Sequence, residues 1–213
     1  DEWSRHRNAL MCAPLIPSPA HVRDAAWPWD AQRWPKADVL GMTADSPAQR
    51  QTGGRTVGLQ TLVSFLLERS STYRGGISSP LSASTACSRL SPYLAFGCLS
   101  MREVIAATAD RAQAADVGPW QRKGLAAFVS RLHWHCHFIQ KLEDEPSIEW
   151  QNMHRGYDGL REHDFNQDHF DALKNARTGW PMVDACVTML RETGWLNFRM
   201  RAMLVSVAAY PLW

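Results

Sequence analysis

The stretch TGWPMVDACVTMLRETGWLNFRMRAML (residues 178–204) contains Thr-Gly-Trp twice, fifteen positions apart, and ends with two arginines in an apolar run. Helical spacing follows each copy, so it predicts one helix over 181–193 and a final helix that begins near Trp195. At about 100° per residue, Arg199 and Arg201 lie roughly 200° apart around that final helix. Its remaining residues are apolar on nearly all sides, so we expect at least one arginine to point inward, toward an anion that offsets the cost of burial.

The rest of the chain is also helical in its pattern. Apolar residues recur at helical spacing after Gly53, and Ser100 with Glu103 has the spacing of a capping box at the start of another helix. A long amphipathic stretch from Gly118 predicts a helix that Pro146 ends, whereas residues 70–84 are rich in Gly, Ser and Pro and predict a loop. Alternating strand patterns with hairpin turns are absent, so the predicted class is all-α.

The first part of the chain differs in composition. Six of the twelve prolines fall within residues 13–52, which also hold the cluster Trp27, Trp29 and Trp34. This predicts an extended, Pro/Trp-rich N-terminal linker over residues 1–52 that lies across a surface with tryptophans as anchors, followed by a multi-helical domain over 53–213.

Composition and charge limit the classes of protein. The 23 basic and 21 acidic residues give a formal charge of +2, too balanced to indicate a nucleic-acid or membrane partner by itself. Five scattered cysteines suggest neither a disulfide framework nor a metal site, which fits a reducing, cytoplasmic location. No apolar run reaches the roughly 18 residues that cross a membrane, so we expect no membrane association.

Two short motifs suggest chemistry. CSRLSPYLAFGCLS (87–100) combines hydroxyls, a glycine turn and helix starts that can present N–H groups to a phosphate, although ordinary turn and cap chemistry is the better interpretation of such a stretch taken alone. HWHCH (133–137) places two histidines one helical turn apart, but it lacks the acidic residue of an H-E-x-x-H zinc site. Histidines that line a polar pocket beside Trp134 are the better interpretation, and no metal is predicted.

Taken in order along the chain, these motifs resemble the flavin-binding helical domain of the photolyase/cryptochrome family. The resemblance rests on the double glycine at 53–54, SRLSPYLAFGCLS at 88–100, F-x-x-x-L-x-W at 128–134, and TGWPMVDA followed by TGWLNFRMR at 178–201. It implies an all-helical domain that holds FAD, whose reduced, light-excited form donates an electron to a pyrimidine dimer in DNA. Such a cofactor would carry the chemistry while the protein supplies binding and orientation.

The resemblance also assigns roles to individual residues. Trp134 matches the tryptophan that stacks on a flipped-out lesion, and Arg199 matches a position that faces the lesion or the DNA phosphates; these two are the predicted catalytic residues. The predicted FAD-binding residues are those of the phosphate turn (Cys87, Ser88, Arg89, Leu90 and Ser91), those of the flavin cavity (Phe128, Arg131 and His135), and Trp195, Phe198 and Arg201 beside the flavin.

Several positions depart from the family pattern. Arg131 stands where dimer-repairing relatives usually have a glutamate, and Leu173 stands where the photoreduction relay has its surface tryptophan. In addition, Cys87 replaces a threonine, His135 an arginine, and Phe198 an asparagine or a similar polar residue. The reversed charge at position 131 weakens the expectation of dimer repair.

Relatives begin with an α/β domain that can hold an antenna pigment and continue beyond the last helix of this chain. Because the chain starts at Asp1 without methionine and stops within an apolar run, we expect a fragment that lacks the antenna domain and the C-terminal part of the flavin cradle.

Three functions remain open at this point. The first is a light-dependent DNA photolyase that acts on pyrimidine dimers. The second is a cryptochrome-type photoreceptor that signals to a protein partner without repair, which Arg131 and Leu173 favour. The third is a non-enzymatic helical module that binds nucleic acid through Arg, His and Trp side chains and carries no flavin.

Overall fold

A computed structural model describes residues 2–21, 35–42 and 47–212 of the protein. Within these ranges the chain forms α-helices, turns and three short 3-10 segments, without a strand. The helices are α1 (Glu2–Met11), α2 (Arg55–Ser64), α3 (Ser70–Gly76), α4 (Ala83–Ala86), α5 (Ser91–Ala95), α6 (Met101–Gln113), α7 (Pro119–Asp144), α8 (Gln167–Lys174), α9 (Pro181–Thr193) and α10 (Phe198–Ala209). The all-α prediction is therefore confirmed.

The core forms where α3 and the turn that precedes it pack against α7. A π-helical turn over Phe65–Arg69 joins α2 to α3 without a break. It turns Phe65 into an aromatic cluster in which the ring centroid of Phe65 lies 4.6 Å from that of Phe128 and 5.3 Å from that of Tyr73. All three side chains are buried, so the cluster fixes the helices that carry most of the candidate site.

The helices with the clearest sequence signals match the predictions. The long helix α7 ends at Asp144, just before Pro146, and α9 spans the predicted range. At the start of α6, the hydroxyl of Ser100 accepts a hydrogen bond from the backbone N–H of Glu103 at 3.1 Å. The carboxylate of Glu103 does not complete the capping box but binds Arg55 at 2.6 Å, which ties α6 to the start of α2.

Two predicted irregular regions are in part helical. Residues 70–76, expected to be a loop, form α3, because the buried Tyr73 packs on α7 and the hydroxyl of Ser70 binds the carbonyl of Leu66 at 3.1 Å. Residues 2–11, expected to be extended linker, form α1, which rests on α7 through Trp3. The predicted tryptophan anchors at 27, 29 and 34 lie outside the described residues.

Helix α9 explains the two Thr-Gly-Trp copies. The first copy begins the helix: the carboxylate of Asp184 accepts hydrogen bonds from the N–H and hydroxyl of Thr178 at 2.8 and 2.7 Å. The second copy ends it, since Gly194 adopts φ 65°, a left-handed conformation that favours glycine, and donates to the carbonyl of Leu190 at 2.8 Å. The repeat therefore brackets one helix with two different caps.

The prediction that the final helix is buried on nearly all sides is wrong. Helix α10 begins at Phe198 rather than near Trp195, and Met200 is its one buried residue. Both arginine side chains are exposed, because among the described helices α10 packs mainly on α9 and leaves its other faces open. Neither arginine therefore needs the buried anion that we expected. Each of the two lines a different cavity.

Candidate functional site

The turn Cys87–Ser91 is held by the side chains of Arg69 and Gln51. The guanidinium of Arg69 donates to the carbonyl of Cys87 and, at 3.3 Å, to that of Ser88. Arg89 has φ 61°, an uncommon backbone conformation for a residue with a side chain. The side chain of Gln51 bonds Arg89 twice, donating to its carbonyl and accepting from its Nε, each at 3.0 Å. This two-way contact offsets the strain and fixes the turn.

The guanidinium of Arg89 lies 4.0 Å from the ring centroid of Trp195. Trp195 is buried and belongs to the second Thr-Gly-Trp copy, so this cation–π contact joins the turn to the segment before α10. The same segment is anchored from its other side, where the buried Asn197 donates to the carbonyl of Ile77 at 3.0 Å. The turn and the segment 195–201 together form the wall between two cavities.

The first cavity has a volume of about 940 Å³ and lies beside the double glycine. It contains two arginines, Arg50 and Arg201, and no carboxylate among its lining residues. Hydroxyl and amide groups and three aromatic rings complete it. The lining residues are Pro47, Arg50, Gln51, Thr52, Gly53, Gly54, Ser91, Pro92, Tyr93, Ala95, Phe96, Cys98, Thr193, Gly194, Trp195 and Arg201.

The second cavity has a volume of about 490 Å³ and lies on the other side of the segment 195–201. It also contains two arginines, Arg131 and Arg199, without a carboxylate, and its aromatic walls are more exposed. Its lining residues are Tyr73, Ile77, Ser78, Cys87, Arg131, Trp134, His135, Phe138, Phe198 and Arg199. Neither arginine side chain of this cavity has an ion pair with another described residue, so both are available to an anionic ligand.

Burial changes the acid–base behaviour of the second cavity. It raises the pKa of the Cys87 thiol to about 11, although Arg89 and Arg69 act in the opposite direction. Burial also raises the pKa of the Tyr73 hydroxyl and lowers the pKa of His135. At neutral pH these three groups are therefore uncharged, and the two arginines set the charge of the cavity.

The predicted site residues separate into four groups. The second cavity brings together Cys87, Arg131, Trp134, His135, Phe198 and Arg199, and the first brings together Ser91, Trp195 and Arg201. Ser88 and Arg89 line neither cavity: the carbonyl of Ser88 binds Arg69, and the guanidinium of Arg89 packs on Trp195. Leu90 and Phe128 are core residues with 1% and 2% exposure, and neither lines a cavity. Their part is to support the turn and helix α7.

Sequence reasoning missed three residues of the site. Gln51 and Arg50 lie outside the quoted motifs, whereas Asn197 lies within TGWLNFRMR but had no predicted role. The contacts of Gln51 and Asn197 reach residues far away in the sequence. For Gln51 a signal was present, since it lies two residues before the double glycine at 53–54. In the structure the segment 47–54 closes one side of the first cavity, and Gln49 donates to the carbonyl of Glu192 at 2.9 Å.

The histidines of HWHCH face α1 rather than each other. The ring of Trp3 contacts His133 and His137 edge-on, with centroid distances of 4.8 and 5.7 Å. No cluster of three or more potential metal ligands occurs among the described residues. Likewise, no helix in the described ranges is long and apolar enough to cross a bilayer.

Comparison with known proteins identifies the family. A family model described as the FAD binding domain of DNA photolyase matches residues 128–213, which include Trp134, α9 and both arginines of α10. The chain belongs to the photolyase/cryptochrome family. It is 31% identical over 163 residues to a deoxyribodipyrimidine photo-lyase of Streptomyces griseus, an alignment that covers 76% of this chain and 32% of that one.

Two further proteins, a cryptochrome and a photolyase of known structure, are similar to the same part of the chain. Cryptochrome-1 of Culex quinquefasciatus is 28% identical over 181 residues, which cover 80% of this chain and 36% of the cryptochrome. A bacterial class III photolyase from Agrobacterium tumefaciens has a solved structure that matches with a TM-score of 0.67 and 26% identity, over 76% of this chain and 32% of that one. The chain thus spans about a third of the length of these photolyases and cryptochromes.

FAD is the cofactor of this photolyase/cryptochrome domain, and the residues of the first cavity fit it chemically. A dinucleotide carries a pyrophosphate, which arginines and hydroxyls bind, and flat ring systems, which aromatic side chains contact. Arg50, Arg201 and Ser91 supply the first kind of group, while Trp195 and Phe96 supply the second. The volume of about 940 Å³ also lies at the upper end of the range typical of cofactor sites.

Proposed function

We propose that the protein containing this chain is a blue-light-dependent flavoprotein of photolyase type, which transfers an electron from reduced FAD to a pyrimidine dimer in DNA. The observation that carries the proposal is the composition of the second cavity. There an exposed tryptophan, Trp134, stands beside Arg131 and Arg199, two arginines that no carboxylate of the cavity neutralises. A flat stacking surface next to unpaired cations suits a base with its attached phosphate.

Trp134 is the residue on which we expect the damaged base to stack. Its side chain is 48% exposed, and the ring of Phe138 lies 5.8 Å away at an angle of 33°, which extends the apolar surface. A base that leaves the duplex loses its stacking energy of a few kcal/mol, and a damaged base loses the least. Stacking on Trp134 offsets this loss. Because a damaged base loses the least stacking energy, the balance favours damaged sites.

Arg199 and Arg131 position the DNA around that surface. Arginine binds phosphate oxygens through two parallel hydrogen bonds, which fixes orientation as well as affinity. The two side chains line one cavity from different helices, α10 and α7. A ligand that contacts both arginines is therefore held across the groove between these helices.

In the first cavity, Arg201 and Arg50 hold the FAD phosphates, and Trp195 with Phe96 contacts its rings. FAD supplies the light-driven one-electron chemistry when it is bound and reduced. The chain contributes placement: Gln51 and Arg89 fix the turn, and the Arg89–Trp195 contact keeps the wall between the cavities rigid. A rigid wall holds cofactor and substrate at a constant separation.

A cryptochrome-type photoreceptor without repair activity is the second candidate. Arg131 favours it, because this position reverses the charge of the glutamate that the family resemblance leads us to expect. The similarity to Cryptochrome-1 of Culex quinquefasciatus supports it as well.

An absorption spectrum combined with a repair assay separates the candidates. We expect the purified full-length protein to be yellow and to restore dimer-containing DNA under blue light but not in the dark. A yellow protein that is reduced by light yet leaves the dimers intact would support the photoreceptor instead. A colourless protein that does not take up added FAD would contradict both.

A further inference from the structure

A third cavity, of about 250 Å³, lies between α1 and α7 with Met101 of α6 in its lining, and it shares only His135 with the second cavity. In the described part of the chain, three buried side-chain nitrogen atoms have no hydrogen-bond partner: Nε and Nη2 of Arg7 and Nδ1 of His135. Both residues line this one cavity. Since buried polar groups in proteins are almost always paired, their coincidence in a single cavity indicates a missing ligand.

Arg7 carries the strongest part of this argument. The residue is 7% exposed, and its Nη1 donates to the side-chain oxygen of Asn8 at 3.1 Å. The two unpaired atoms, Nε and Nη2, form the other edge of the guanidinium, the edge that binds carboxylate or phosphate with two parallel hydrogen bonds. A buried guanidinium without an anion costs several kcal/mol, so this edge requires an oxyanion.

Specific contacts between α1 and α7 fix the surroundings of Arg7. Trp3 holds α1 against α7 through its contacts with His133 and His137 and through a hydrogen bond from its Nε1 to Gln140. Glu143 lines the same cavity, yet it is exposed and forms no ion pair with Arg7. The acidic residue among those that line the cavity therefore leaves the guanidinium edge free.

The walls of the cavity describe the rest of the ligand. Apart from Arg7, His135 and Gln140, the lining is mostly apolar and includes Leu10, Met101 and Ile139. Burial keeps His135 neutral by lowering its pKa, so its Nδ1 can form a single neutral hydrogen bond. A compact anionic head with an apolar body matches this combination of groups.

We propose that the cavity between α1 and α7 is a binding site for a small oxyanion that carries an apolar body, such as an aromatic carboxylate or the phosphate of a small ester. Arg7 binds two oxygen atoms of the anion through Nε and Nη2, and His135 makes a further hydrogen bond. The apolar part rests on Leu10, Met101 and Ile139. His135 also lines the second cavity, but Arg7 lines neither of the other two, so the anion site itself does not depend on the proposed function.

Titration calorimetry of the full-length protein with benzoate, and separately with inorganic phosphate, tests the site. We expect saturable binding of at least one probe, and the tighter one identifies the preferred head group. Arg7→Met should weaken binding by about tenfold or more, because charge-assisted hydrogen bonds are lost. Arg5→Met, which removes an exposed arginine from the same helix, should leave it unchanged. Absence of binding, or equal weakening in both variants, would overturn the proposal.

Two further measurements distinguish loss of the anion site from misfolding of the Arg7→Met variant. In buffer without either anion, Arg7→Met should have the higher melting temperature, whereas saturating probe should raise the melting temperature of the wild type only. Crystals of the wild-type full-length protein soaked in 4-bromobenzoate should show an anomalous bromine peak beside Arg7. A carboxylate of the protein's own chain bound to Arg7 in those crystals would refute the site.

Discussion

Arg199 and Arg201 are two positions apart, yet they line different cavities, and this gives them separable roles. Arg201 lines the first cavity, where its Nε donates to the carbonyl of Leu196 at 2.8 Å, while Arg199 lines the second cavity beside Trp134. We expect Arg201→Met in the full-length protein to weaken FAD binding about tenfold, since a charged contact to phosphate is lost. Arg199→Met should retain FAD. Flavin absorbance after gel filtration measures both.

The affinity of the same variants for dimer-containing DNA completes the comparison. Arg199→Met should bind such DNA about tenfold more weakly, because one phosphate contact is lost while the stacking surface of Trp134 remains. Fluorescence anisotropy of labelled DNA measures this change. If Arg199→Met lost FAD and Arg201→Met kept it, the assignment of the two cavities would have to be reversed.

Asp184 is the residue whose protonation we expect to change stability. Burial raises the pKa of this carboxyl, but the hydrogen bonds from Thr178 and Gly179 outweigh burial, so the pKa lies below its ordinary value of about 4. A lowered pKa in the folded state contributes stability that is complete above the ordinary value and is lost as pH falls through the lowered one. Asp184→Asn should therefore be less stable than wild type at pH 7.

Urea unfolding at a series of pH values measures this effect. The difference in unfolding free energy between wild type and Asp184→Asn should shrink below about pH 4, where the wild-type carboxyl becomes protonated. Asp158, which pairs with Arg155 on the surface, provides the matched control, and Asp158→Asn should change stability little at any pH. A constant difference for Asp184→Asn across the series would argue against a role for its charge.

At the scale of helices, the crossing of α3 and α7 depends on one glycine. A Cβ atom on Gly124 would overlap the backbone carbonyl of Ser70, and backbone cannot move aside as a flexible side chain can. We expect Gly124→Ala to destabilise the fold by about 3 kcal/mol, the upper part of the range for overpacked cores. Gly75→Ala is the control, because nothing lies within 4 Å of its Cβ position. It should leave stability nearly unchanged, which thermal unfolding of the two variants will establish.

The helices also show what the sequence could and could not predict. Helices α6, α7 and α9 carry their own signals, namely an N-cap serine, a proline after the last turn, and the two Thr-Gly-Trp caps. Helices α1 and α3 lack such signals. They are stabilised instead by contacts of Trp3 and Tyr73 with α7. Tertiary packing decided their structure, and single-sequence patterns do not report it.

The candidate site divides in the same way. The turn Cys87–Ser91 and Trp134 were predictable, because the family resemblance rests on short motifs that contain them. Gln51, which clamps Arg89, and Asn197, which reaches Ile77, act across 38 and 120 positions of sequence. Arg199 and Arg201 were correctly expected to point in different directions, but their exposure depends on which faces of α10 are covered, and the sequence does not contain that information.

At the scale of the whole chain, a formal charge of +2 over its 213 residues gives no diffuse basic surface that would bind DNA by itself. For this part of the protein, the proposed DNA contact would then rest on a few local groups, and the two arginines of the second cavity are the best candidates. Because each phosphate contact adds about 0.9 to the slope of log affinity against log salt, Arg131→Met and Arg199→Met should each reduce that slope by about 1.

Lys174→Met supplies the control, since Lys174 is exposed at the end of α8 and lines none of the three cavities. Its slope should equal that of the wild type. The double variant of Arg131 and Arg199 should lose about 2 from the slope, because the two side chains contact different phosphates from different helices. Equal slopes in the wild type and all four variants would mean that DNA, if bound, is held elsewhere. A loss of about 1 in the double variant would mean instead that both arginines contact a single phosphate.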